Sequence, residues 1–281
     1  MSIEKEISDR LQGRGIEKEF SPDLKVKIIP LAVSRSTSAE LGLDQNFVER
    51  VVFKQGAMPE RYSRNMTTFS QSDQEHFFES KVAVVGLGGL GGHLLEALAR
   101  AGVGHIVACD GDVFEPSNLN RQLLATESSL GQSKADAAYE LIRIVNPAVF
   151  LDVRSDFLEG DQFENFIKGC DVVVDCLGGL EHRVPLKDSA AKLGIPLVTA
   201  SVAGWAGIVS TVYPGDHSPA DFFGDNNGLE ETLGTPIPAI LTAVGVQSAE
   251  VLKILSGKGA GLAGKAFMFD LSGLYFDVVT L

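Results

Sequence analysis

The sequence predicts an α/β chain of the Rossmann-like class: a mostly parallel sheet, helices on both faces and a C-terminal antiparallel hairpin. Three observations predict it. Short, continuous apolar runs recur from Lys81 onward, as strands buried on both faces require. Stretches with helical apolar periodicity separate them. A glycine-rich turn joins the first run to the first of these stretches. Strand and helix alternating at this spacing imply parallel neighbours linked by crossovers.

The elements follow in order. Residues 1–58 read as a polar, helical lead-in to which the sequence assigns no role. DLKVKIIPLAVS (23–34) holds at most a short strand, weakened by Pro30. LDQNFVERVVF (43–53) sets Phe47, Val48, Val51 and Val52 on one helical side, with Asp44 as a cap. The domain spanning 59–281 then begins its alternation. KVAVVGL (81–87) is a buried strand, LGGHLLEALARAG (90–102) a helix stopped by Gly102, and HIVACD (105–110) the second strand. SKADAAYELIRIVNP (133–147) is a helix capped by Ser133 and ended by Asn146-Pro147. VFLDVRS (149–155), DVVVDCL (171–177) and PLVTASV (196–202) are further strands with helices between them. AILTAVGVQSAEVLKIL (239–255) is a long apolar helix. AFMFDL (266–271) and LYFDVVTL (274–281) form a hairpin turning at Ser272-Gly273.

Composition narrows the function classes. A net charge of −13 disfavours a nucleic-acid partner, because an acidic surface repels phosphate backbones. Cys109, Cys170 and Cys176 form no Cys-x-x-Cys pair, so neither a disulfide scaffold nor a four-cysteine zinc site is expected. They lie in or beside strands and read as buried and inert. The polar start is no secretory signal. No apolar run is expected to approach the ~18 residues of a bilayer span. The chain therefore reads as soluble and cytoplasmic, with no membrane partner. His76, His93, His105, His182 and His217 show no metal-ligand spacing.

Gly86-Leu87-Gly88-Gly89-Leu90-Gly91 lies between a strand and a helix. Glycines there let a backbone approach phosphate, and the helix N-terminus supplies amide donors. Asp110 ends the next strand, about 20 residues on, where a carboxylate binds ribose hydroxyls. The motif alone does not separate NAD, FAD and ATP. The polar loop Asp110-Gly-Asp112-Val-Phe-Glu-Pro-Ser117-Asn118-Leu-Asn120-Arg121-Gln122, with Lys134 after it, favours ATP. One arginine and one lysine converging near a glycine turn suit a triphosphate.

In this order, the glycine motif, the Asp110/Asp112 pair, SNLNRQ, the Gly131/Lys134 pair and Asn146-Pro147 resemble the MoeB, ThiF and HesA proteins. These are bacterial relatives of ubiquitin-activating enzymes. Arg61-Tyr62-Ser63-Arg64-Asn65, Asp175-Cys176, Arg183 and TAVGVQSAEVLKIL are similar too, so the resemblance covers about residues 59–281. It implies an adenylyltransferase that uses ATP and Mg²⁺ to activate the C-terminal glycine of a ubiquitin-fold sulfur carrier, ThiS- or MoaD-type. The pathway implied is thiamine or molybdopterin biosynthesis. By position, Gly86, Gly88, Gly89, Leu90 and Gly91 would cradle the nucleotide and Asp110 would hold ribose. Asp112 and Asp175 would also line the site, and Asn118 and Gln122 would orient the loop. Lys134 would neutralise phosphate, and Arg121 would act on the leaving pyrophosphate. Arg64- and Arg121-type residues reach the neighbouring subunit in that family, which implies a homodimer.

The chain departs from the family pattern in three places. Gly178 stands where the family commonly places a magnesium-binding aspartate, leaving Asp175 as the first candidate ligand and Asp112 or Glu181 as alternatives. Both cysteine pairs of the family's structural zinc are missing, so no zinc is expected. The loop 215–235, acidic and glycine-rich, reads as mobile but holds no cysteine for a covalent bond to the carrier. Ala203-Gly204-Trp205-Ala206-Gly207 either grips an extended Gly-Gly tail or places a tryptophan in the core. The competing functional readings are a weakened ATP- or carrier-binding protein, activation of a peptide carboxylate, and an NAD-dependent oxidoreductase.

Overall fold

A computed structural model describes residues 2–222 and 232–281. The N-terminal segment holds α1 (Ile3–Leu11), a hairpin of β1 (Ile16–Ser21) and β2 (Leu24–Ile29), α2 (Leu31–Leu41), α3 (Gln45–Lys54) and β3 (Met58–Pro59). β3 pairs in parallel with β2, completing a three-stranded sheet. A core of Ile7, Leu11, Ile29, Val48, Val51, Val52 and Ala57 holds the helices together. The segment is thus more than a helical lead-in. β1, IEKEFS, is exposed along almost its whole length, so it carries no alternating apolar signal. Pro30 does not abolish β2. It ends the strand and sits at the N-cap of α2, where its missing N–H costs nothing.

In the main sheet the parallel strands are β4 (Lys81–Val85), β5 (His105–Cys109), β6 (Phe150–Arg154), β7 (Val172–Asp175) and β8 (Leu197–Ala203). β9 (Ala206–Val212), β10 (Lys265–Asp270) and β11 (Tyr275–Thr280) continue it antiparallel. The spatial order is β11-β10-β9-β8-β7-β4-β5-β6. The antiparallel part is therefore larger than the expected terminal hairpin, because β9 turns straight back on β8. Gly204 and Trp205 make that turn, between the paired Ala203 and Ala206. Gly204 has φ +57°, and Trp205 is 52% exposed rather than in the core.

Side chains alternate across the central strands. Val82, Val84, Val172 and Val174 face a core shared with α4 (Gln71–Glu79), α5 (Gly89–Ala101), α6 (Lys134–Val145) and α9 (Ile237–Leu255). Ala83, Val85, Val107 and Val173 face the core beneath α7 (Gln162–Ile167) and α8 (Arg183–Lys192). α9 is 19 residues long with a mean hydropathy of 1.4, which corrects the expectation that no run has the length and apolarity to cross a bilayer. It packs on β7, β8 and β9, and its buried side carries Gln247 and Glu250. Glu250 accepts hydrogen bonds from the Thr211 hydroxyl and the Leu262 amide (both 2.9 Å) and pairs with Lys253.

A polar knot joins the N-terminal segment to the main domain. The Arg61 guanidinium donates to Glu49 (2.9 Å), Asn146 (2.7 Å) and Gln45 (2.9 Å). Asn146 in turn donates to the Tyr62 hydroxyl (3.0 Å) and the Ala99 carbonyl (2.8 Å). Burial pushes the Glu49 carboxyl up to about 7, against the opposing pull of Arg61.

Candidate functional site

A cavity of about 490 Å³ opens where β4, β5 and β7 end, and these C-terminal strand ends are where open α/β sheets bind ligands. Gly86, Gly88, Gly89 and Leu90 line it at the start of α5, whose first-turn amides lack helical partners. Two glycines are required by space. Gly86 has φ +94°, and a Cβ there would fall 2.5 Å from the Cys176 carbonyl oxygen. A Cβ on Gly91 would lie 1.8 Å from the Gly86 carbonyl oxygen. Gly91 thus lies behind the wall and lets the turn close, while Gly88 and Gly89 form the surface itself.

Asp110 does more than its place at the strand end suggests. Its Oδ2 accepts from the Leu87 amide (2.7 Å) and its Oδ1 from the Asp112 amide (2.9 Å). The carboxylate therefore staples the end of β5 to the glycine turn while lining the cavity. Lys134 is 7% exposed in its side chain and lies 2.8 Å from Asp112, which is 53% exposed. Arg121 lines the cavity of its own chain and donates to the Ser117 carbonyl (2.8 Å) and Asn120 (2.9 Å). Asn118 is buried, its Oδ1 accepting from the Glu115 amide (3.1 Å), which shapes the loop. Gln122 is buried, and its Oε1 has no hydrogen-bond partner among the described residues. Its amide stands beside Gly88, 3.7 Å from where a Cβ would be. A buried acceptor calls for a donor, so it adds nothing to phosphate binding. A nucleotide fits the residues present through the glycine turn, whose amides and absent Cβ atoms admit phosphate, and through Lys134 and Arg121 on the same wall.

Asp175 and Arg64 are not brought to the cavity wall. Arg64 is exposed on the turn Glu60–Asn65. Asp175 is 1% exposed, and both its oxygens are engaged. Oδ1 accepts from the Leu177 amide (3.0 Å), and Oδ2 from Thr199 (2.7 Å) and Arg183 (2.8 Å). Arg183 also donates to the carbonyls of Leu177 (2.6 Å), Gly179 (2.8 Å) and Ala200 (2.8 Å). The pair clamps the 177–179 turn beneath the cavity. Gln247 on α9 adds a bond to the Asp175 carbonyl (3.2 Å). Neither Thr199 nor Gln247 stands out in the sequence, because each acts from an element far along the chain.

Gly178 lines the cavity, keeps an ordinary φ, and has nothing within 4 Å of a Cβ position. Glu181 and Asp156 also line it and are exposed. Among the described residues no group of three or more His, Cys, Asp or Glu gathers to hold a metal. Burial pushes the thiols of Cys109 and Cys170 up to about 12 and about 11, and that of Cys176 up as well, so all three are protonated at neutral pH. In the loop 215–235, Asp221 pairs with Lys187 (2.6 Å), while Asp225, Glu230 and Glu231 lie outside the described residues.

Comparison with known proteins places this arrangement. The SAMP-activating enzyme E1 of Haloferax volcanii is 30% identical over 227 residues, 78% of this chain and 84% of that protein. The molybdopterin-synthase adenylyltransferase of Escherichia coli is 30% identical over 228 residues, 79% of this chain and 92% of that protein. The crystal structure of E. coli MccB with succinimide superposes with a TM-score of 0.70 at 17% identity, over 90% of this chain and 79% of that one, a likeness of fold alone. The ThiF family model matches residues 62–281, which span the whole cavity. With the glycine turn, the Asn118-to-Gln122 loop and Lys134 gathered on one wall, the chain belongs to the ThiF family.

Proposed function

We propose that this chain joins AMP from ATP to the C-terminal glycine carboxylate of a small ubiquitin-fold sulfur carrier, of the ThiS or MoaD type. The adenylated carrier would then accept sulfur for thiamine or molybdopterin biosynthesis. One observation carries the reading: the amide-rich start of α5, Lys134 and Arg121 line a single cavity. The molybdopterin-synthase adenylyltransferase of E. coli and the SAMP-activating enzyme E1 of H. volcanii, each 30% identical to this chain, support the same class of reaction.

The chemistry asks for no general base. The carboxylate is already ionised at neutral pH. Its oxygen attacks the α-phosphorus, and the bond from that phosphorus to the bridging oxygen breaks, so that pyrophosphate leaves with the electron pair. The protein must position the two anions and offset their charge. The amides at Gly88–Gly89 receive phosphate oxygens. Lys134 exchanges its Asp112 partner for phosphate, and Arg121 exchanges its loop partners for the leaving pyrophosphate. Asp110, already fixed by two backbone amides, presents its remaining lone pairs to ribose.

Magnesium would supply charge neutralisation on the phosphates, held chiefly by nucleotide oxygens and water. Asp175 could join only by giving up Arg183 or Thr199, whereas Asp112 and Glu181 offer exposed carboxylates on the wall. We place the reaction in a cytoplasmic, zinc-free homodimer in which the exposed Arg64 completes the partner's site. The second reading, a weakened ATP- or carrier-binding protein, is motivated by Gly178 and the engaged Asp175.

A carrier-dependent exchange of pyrophosphate into ATP tests the proposal. Exchange should require ThiS- or MoaD-type carrier and vanish when its terminal glycine is removed. ATP binding without exchange on either carrier would replace the enzyme with the binding protein, and preference for NAD over ATP would defeat both.

A further inference from the structure

We propose that Phe157 is the stacking platform for the base of the bound nucleotide. The proposal rests on the nucleotide reading above and assigns a residue to the part of the ligand which that reading left without a partner.

Phe157 lies in the loop between β6 and α7 and is 66% exposed, while the adjoining Leu158 is buried in the core beneath α7. Its ring belongs to none of the buried apolar clusters. It rests instead on Gly111. A Cβ at 111 would fall 2.5 Å from Phe157 Cδ2 and 2.7 Å from Cε2 and Cγ. Gly111 does not have a positive φ, so its backbone conformation does not call for glycine. The space beneath the ring does.

Contacts fix where this ring stands relative to the phosphate turn. Leu87, within that turn, donates its amide to Asp110. Asp110 is followed by Gly111, and Gly111 carries the Phe157 ring. Phe157, Leu158 and Phe163 line the same cavity as the glycines, Lys134 and Arg121. By contact, the order is therefore the amides of the turn, then the Asp110 carboxylate, then an aromatic ring with apolar neighbours. A nucleotide has the matching order of phosphates, ribose and base. A single exposed phenylalanine is ordinary on a protein surface. One seated in that cavity, on the glycine that follows Asp110, has a use for its open face, since every base offers a π-face to an aromatic ring.

The experiment compares wild type, Phe157→Ala and Phe157→Trp for equilibrium binding of ATP, ADP and inorganic tripolyphosphate by calorimetry. The ring is exposed and outside the core, so the variants should melt with wild type. Phe157→Ala should weaken ATP and ADP by about 5- to 150-fold, the range that base–aromatic stacking supplies. Tripolyphosphate, having no base, should bind unchanged, and Phe157→Trp should restore ATP. ATP binding by Phe157→Ala within twofold of wild type would overturn the proposal alone. An equal loss of tripolyphosphate would also overturn it, since the ring would then be holding the loop and not a base. Wild type that binds tripolyphosphate but not ATP would overturn the nucleotide reading and this proposal together.

Discussion

Gly91 and Gly88 lie three residues apart in the same turn, yet adding a methyl to each should fail in different ways. At Gly91 the new Cβ would sit 1.8 Å from one backbone oxygen and 2.8 Å from its carbon, with Cys176 Cβ at 3.2 Å. Backbone cannot swing aside as a side-chain tip does, so either the turn opens or α5 shifts. Overpacking of this kind costs typically 1–3 kcal/mol, and a clash with backbone belongs at the top of that range. At roughly 2–4 °C per kcal/mol for a domain of this size, Gly91→Ala should melt about 6–12 °C below wild type. At Gly88 the nearest atom, Gln122 Nε2, is 3.7 Å away, an ordinary contact. Gly88→Ala should therefore melt with wild type while its methyl stands in the cavity. Losing one close amide-to-phosphate bond costs about 2 kcal/mol, or roughly 30-fold in ATP affinity. Thermal melts by circular dichroism and ATP titration by calorimetry read the two effects separately. A Gly91→Ala protein that melts with wild type, or a Gly88→Ala protein that binds ATP as tightly, would refute the division of labour argued for this turn.

Other perturbations test other parts. The Glu49 carboxyl sits at about 7 in the fold against 4.5 for the free group, so the folded state holds a proton that the unfolded chain has released. Its contribution is full below pH 4.5 and lost as pH rises through 7, by at most about 3 kcal/mol; Glu49→Gln should remove that slope in urea unfolding at pH 5 and 7.5, and an unchanged wild-type-minus-variant difference would contradict it. Mixing Arg64→Ala with Lys134→Ala subunits should recover part of the exchange activity if Arg64 serves the partner's site; no recovery after confirmed subunit exchange would place each site within one chain. Gly178→Asp should fold, since its Cβ meets open space and its φ is ordinary, and should lower the magnesium needed for ATP binding. A metal titration that superposes on wild type would show that the carboxylate at this position is not what the site lacks.

The parallel half of the sheet was legible because its strands are buried on both faces and announce themselves as unbroken apolar runs. Gly102, at φ +93°, ends α5 as expected, and Ser133 caps α6 by accepting from the Asp136 amide. What escaped was the structure whose signal is spread across contacts. β1 is an exposed strand with no apolar face of its own, and it exists because β2 pairs with it. β9 follows a Gly-Trp turn that reads equally well as a tail-binding loop. Pro30 reads as a strand breaker, but at the end of a strand it is the first residue of the next turn.

The site divides along the same line. Local motifs found the glycine turn, Asp110, Arg121 and Lys134, and resemblance gave Asn118 and Gln122 their roles; the structure gathers these on one cavity. Asp175 shows what local position leaves out. A carboxylate at the end of a parallel strand is well placed to bind a cation, and by sequence nothing distinguishes the metal from a side chain. The cation that reaches it in the fold is Arg183, eight residues on, held in turn by three backbone carbonyls. Replacing that guanidinium by magnesium would leave a 4%-exposed arginine without its counter-ion, and breaking a buried pair in this way costs about 3–5 kcal/mol. An exposed carboxylate on the wall carries no such penalty. The strain-free position for a metal-binding acid is thus Gly178, where none stands, and the carboxylate that does stand nearby is spent on holding the turn in which Gly178 sits.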